Sequence, residues 1–90
     1  MPNTVALEYV GNRFTATVTV DKRFAANETV VSISNVNLQC DQEMDGPTLA
    51  GGGFTFLYHY PAAPPGLYKA IATFVSRRSS ETHVATHRIP

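Results

Sequence analysis

The sharpest pattern in the chain is a strict two-residue alternation. Phe14, Ala16, Val18 and Val20 fall on one parity, and Thr15, Thr17 and Thr19 on the other. Side chains of a β-strand point alternately to opposite faces, so this segment predicts an antiparallel strand with one apolar and one wet face. The threonines suit the wet face, because β-branched side chains pack well on a pleated surface. Val5, Leu7 and Tyr9 predict a strand before it, across the turn signal Gly11-Asn12. Phe54, Phe56, Tyr58 and Tyr60 alternate with Thr55, Leu57 and His59 and predict an aromatic-faced strand. Leu67 to Ser76 and Thr82 to Ile89 predict two more, joined by a hairpin loop at Arg77-Arg78-Ser79-Ser80-Glu81.

The middle of the chain is less regular. Val31 and Ile33 share one parity, whereas Val36, Leu38 and Cys40 share the other. A one-residue slip moves side chains to the opposite face, so a bulge or a break between strands is expected near Ser34-Asn35. Asp41 to Gly53 holds acids, a proline and four glycines, which predicts a long mobile loop. Six or seven short strands result, with turn signals about every 8–12 residues and no convincing helical period. The expectation is an all-β, antiparallel β-sandwich in a single domain spanning residues 1–90.

One segment is more specific. Pro64-Pro65-Gly66-Leu67-Tyr68-Lys69-Ala70 sets a tyrosine two residues into a strand, after a proline-rich turn and an aromatic strand. It resembles the tyrosine corner of immunoglobulin-like, fibronectin type III and bacterial Ig-like domains. The resemblance implies an Ig-like sandwich in which the Tyr68 hydroxyl bonds back to the backbone within Tyr60 to Pro64 and ties the corner down. Ala70 stands where antibody domains place their second cysteine, and the Phe14–Val20 segment has none. The implied sandwich therefore lacks the inter-sheet disulfide. The absence of tryptophan departs from the antibody pattern.

Tyr68 also sets a phase. With Tyr68 inward, Ala70, Ala72 and Phe74 face in, and Lys69, Ile71, Thr73 and Val75 face out. Placing Val84 inward on the next strand puts His83, Ala85, His87 and Ile89 on the same outer face as Ile71 and Val75. An apolar strip edged by polar groups has the anatomy of a protein contact. The candidate contact residues are Ile71, Val75, Arg77, Arg78, His83, Ala85 and His87, with Tyr68 as the structural corner.

Composition narrows the function classes. Seven basic residues balance seven acidic ones in a chain of 90. A neutral chain has no long-range attraction for polyanions, which argues against nucleic acid or membrane partners. The single cysteine, Cys40, excludes an intrachain disulfide. There is no signal-peptide pattern, and no apolar run approaches the ~20 residues of a membrane span. The expected setting is cytoplasmic or virion-associated, unless the chain is excised from a larger secreted protein.

Candidate chemistry is sparse. Asp41-Gln42-Glu43-Met44-Asp45-Gly46 opens like a calcium loop, but the position that needs a bidentate Glu is Gly52. Asp41, Glu43 and Asp45 are thus weak calcium candidates, and no metal centre is expected. No nucleophile elbow or phosphate-cradling loop is present. No catalytic residue, cofactor or small-molecule substrate is expected. The expected function is a non-catalytic protein-binding or structural module whose partner is another protein or a further copy of the chain. A bacteriophage virion accessory or decoration protein fits, as does an Ig-like module of a larger surface protein. The alternatives are a carbohydrate- or calcium-binding module and a small intracellular inhibitor acting through its outer sheet face.

Overall fold

Eight strands carry the chain in the computed structural model, which describes residues 2–90. They are β1 (Thr4–Val10), β2 (Arg13–Thr19), β3 (Val30–Ser34), β4 (Gln42–Glu43), β5 (Asp45–Ala50), β6 (Gly53–His59), β7 (Gly66–Val75) and β8 (Ser80–Ile89). They form two four-stranded antiparallel sheets, in the orders β1-β2-β6-β5 and β4-β3-β7-β8. One 3-10 turn, Ala26–Glu28, interrupts the β2–β3 connection.

The alternation of β2 organises the first sheet. Phe14, Ala16 and Val18 are buried, opposite Tyr9, Leu7 and Val5 on β1 and Tyr58, Phe56 and Phe54 on β6. The second sheet contributes Val31 and Ile33 from β3 and Tyr68, Ala70, Ala72 and Phe74 from β7. These two inner faces share one core, and its removal from water is the main source of stability. The arrangement is compatible with a β-sandwich.

The strand count is eight, not six or seven. The difference lies in Asp41 to Gly53, whose composition predicts a loop and which instead forms β4 and β5. Met44 explains it. This residue is only 2% exposed, and its backbone N–H donates to the Val31 carbonyl at 2.8 Å. It pins the chain where it crosses from one sheet to the other. Acids, glycine and Pro47 are tolerated there because both strands lie at sheet edges, where a proline need not remove a ladder hydrogen bond. β3 ends at Ser34, so the slipped parity marks a break rather than a bulge.

Candidate functional site

The Pro-rich connection between β6 and β7 is held from both sheets. The Tyr68 hydroxyl donates to the Pro64 carbonyl at 2.7 Å, four residues back along the chain. Its ring is fully buried, 4.6 Å from Phe14 and edge-on to Tyr60 at 6.1 Å. Burial pushes the Tyr68 phenol pKa up, since the phenolate would be poorly solvated there. Tyr9, on β1, donates to the Tyr60 carbonyl at 2.7 Å and accepts from the Ala63 N–H at 3.3 Å. The role of Tyr9 was not foreseen. Its parity places it inward, but nothing near it says that its hydroxyl meets a turn 51 residues away.

On β7 the phase set by Tyr68 appears as expected. Tyr68, Ala70, Ala72 and Phe74 are buried, and Lys69, Ile71, Thr73 and Val75 alternate with them. On β8 the phase is the reverse of the expectation. Ile71 stands opposite Val84, Ala70 opposite Ala85, Ala72 opposite His83 and Tyr68 opposite His87. Directly opposed residues share a face. Val84 is therefore the outward residue, 55% exposed. His83, Ala85 and His87 turn toward the inner side, and His83 sits edge-on to the Phe74 ring at 5.6 Å. The cause is the hairpin, which closes over Ser76–Ser79 and starts β8 at Ser80.

The corrected outer face has an aliphatic centre. Ile71 and Val84 are side by side, and the row continues through Ser32 on β3 to Glu43 on the edge strand β4. Val30, 44% exposed, lies one row away opposite Thr73, and Val75 caps β7. Thr82, Thr86, Ser34 and Lys69 surround this centre on the same face.

The remaining candidates separate. Arg77 and Arg78 sit at the tip of the β7–β8 hairpin, beside a groove of about 890 Å³ that Arg23 and Phe24 also line. Glu43 belongs to one sheet and Asp45 to the other, with buried Met44 between them. Among the described residues no three potential metal ligands converge, so Asp41, Glu43 and Asp45 are not brought into one site. Cys40 is exposed. Glu81 accepts a hydrogen bond from the Asn3 amide at 3.0 Å and lies 3.0 Å from His83 Nε2. These contacts, His83 first, hold its carboxyl below the ordinary range.

Comparison with protein-family models, with curated proteins and with solved structures finds no match. The geometry defines an all-β protein of two four-stranded antiparallel sheets, with an aliphatic outer face on one sheet and an arginine-lined groove at one end.

Proposed function

We propose that the protein is a non-catalytic, immunoglobulin-like module that docks onto another protein, or onto further copies in an assembly, through the outer face of β3, β7 and β8. The observation that carries this reading is the Ile71–Val84 row with Val30 and Val75 around it. The outward face of an antiparallel sheet is ordinarily polar. Here an aliphatic centre lies within a rim of threonine, serine, lysine and, on β4, Glu43, which is the anatomy of a protein interface.

The chain path supports the Ig-like class. The order β1-β2-β6-β5 follows the A-B-E-D connectivity of such domains, and β3-β7-β8 follows C-F-G, with β4 added at the edge. The Tyr68–Pro64 bond supports it as well. The setting that goes with this reading is a structural part of a virion or a module of a larger surface protein.

The test is the double variant Ile71→Asp/Val84→Asp. Wild-type protein is expected to self-associate in sedimentation experiments over a concentration range, or to retain a protein from its source. The variant should lose that association and keep its β-sheet circular dichroism. Collapse of the variant fold would mean that the face is core rather than interface. A wild type that stays monomeric and partnerless would end the proposal.

A further inference from the structure

The charge of this chain is balanced in total but not in space. Three of its five arginines, Arg23, Arg77 and Arg78, line one groove between the β2–β3 connection and the β7–β8 hairpin, and among the described residues Glu28 is the only acid in its walls. Two features make this more than a solvated tip. The guanidinium groups of Arg77 and Arg78 have no hydrogen-bond or ion-pair partner among the described residues. Arg23 is oriented from beneath: its Nε lies 3.0 Å from Oδ1 of nearly buried Asp21, and its backbone N–H donates to the same oxygen at 2.9 Å. That contact uses Nε and leaves the two terminal nitrogens of the guanidinium for a ligand.

The walls are also fixed. Ala25 N–H donates to the Val75 carbonyl at 2.9 Å, which ties the connection to the end of β7. Ser76 N–H donates to the Ser79 carbonyl at 2.8 Å, and the Ser76 hydroxyl accepts from Ser79 N–H at 3.1 Å, which closes the hairpin. Phe24, partly buried, and Val75 supply an apolar surface, with the Arg23 guanidinium 6.0 Å from the Phe24 ring centre. A preformed cleft loses less entropy when it binds than one that must be ordered first.

We propose that this groove binds an acidic peptide segment of a protein partner, with carboxylates on the three arginines and an apolar side chain against Phe24 and Val75. Arginine forks match carboxylate geometry in a bidentate manner. A bare oxyanion fits less well. The groove, at about 890 Å³, lies in the roughly 300–1,000 Å³ range of sites for larger ligands, and part of its lining is apolar. This site meets the outer face of β3, β7 and β8 only at Val75, and it does not depend on Ile71 or Val84.

The experiment is fluorescence anisotropy with the labelled peptide Glu-Glu-Leu-Glu-Glu and with its Lys-Lys-Leu-Lys-Lys counterpart. The acidic peptide should bind, and the basic one should not. Binding should weaken as NaCl rises from about 0.05 to about 0.5 M, because the charges are partly exposed. Arg77→Glu/Arg78→Glu should lower affinity by at least about tenfold with an unchanged melting temperature, since neither guanidinium has a partner to lose. Inorganic phosphate should compete only weakly.

Failure of the acidic peptide to bind, equal binding of both peptides, or undiminished binding to the double variant overturns the proposal. So does full displacement by phosphate at concentrations similar to the peptide's, which would make this a small-oxyanion site. Ile71→Asp/Val84→Asp should leave the peptide affinity as it is, so the two readings fail independently.

Discussion

Tyr68→Phe isolates the hydroxyl that ties the β6–β7 connection to β7. The substitution keeps the buried ring against Phe14 and Tyr60 and removes only the oxygen that donates to Pro64 at 2.7 Å. A neutral hydrogen bond contributes about 1 kcal/mol net, and a partly buried acceptor left without its donor adds to the loss. The Pro64 residue is half-buried, so water only partly replaces the lost donor. The expected destabilisation is about 1–2 kcal/mol. In a domain of this size that corresponds to a fall of about 5–15 °C in melting temperature. The total stability of such a domain is about 5–13 kcal/mol, so the change lies within measurable range.

Urea titration followed by far-ultraviolet circular dichroism is the suitable assay. The chain has no tryptophan, and the substitution itself alters the tyrosine signal. The slope of the titration should stay constant, because the fold is retained. Tyr9→Phe loses the bonds to Tyr60 and Ala63 in the same connection. The double variant should therefore deviate from additivity by at least about 0.5 kcal/mol. A Tyr68→Phe protein within about 0.3 kcal/mol of wild type would show that the ring alone holds the corner and would refute the role assigned to the hydroxyl.

Two further outcomes follow from the same geometry. The Arg23 backbone N–H and then its guanidinium hold the Asp21 carboxyl down from 3.8 to about 2. A depressed carboxylate pKa contributes stability that is present above 3.8 and is lost as pH falls toward 2. Asp21→Asn should thus melt below wild type at pH ~6, where the carboxylate is ionised, with the gap closing toward pH ~2; a gap that does not change with pH would rule this out. Gly46 has a φ of +155°, and a Cβ there would lie 2.7 Å from the Thr55 carbonyl oxygen and 2.8 Å from Phe56 Cδ2. Gly46→Ala should destabilise by about 1–3 kcal/mol in the same urea assay, and a neutral result would mean that β5 shifts freely at its edge.

Not every element was equally readable along the chain. β2 was legible because it carries an unbroken alternation over seven residues, which maps directly onto the two faces of a strand, and β6 because Phe54, Phe56 and Tyr58 share one parity. β7 was legible for a further reason, since Tyr68 fixes its phase. β4 and β5 were not. Edge strands bury little, so selection for apolar residues is weak there, and their composition resembles that of a loop. The lone buried residue, Met44, gives no periodic signal. β8 was found but misphased, because Thr82, Val84 and Thr86 on one parity are no more polar than His83, Ala85 and His87 on the other. As a result Ile71 and Val75 face outward on β7, but the residue beside Ile71 is Val84 rather than His83, Ala85 or His87, and Val75 stands opposite Ser80.

What the chain determined by itself was local: which segments are extended, which face of the strong strands is apolar, and where a tyrosine can reach back four residues to a turn. Such features depend on neighbours within a few positions. Tertiary structure decided everything that depends on pairing: the register of β8, the burial of Met44, the meeting of Tyr9 with a turn 51 residues away, and the convergence of Arg23 with Arg77 and Arg78. A strand with two similar faces carries no preference of its own. Its orientation is set by the partner strand that it bonds to, and so the outer face of this protein is written in β7 as much as in β8.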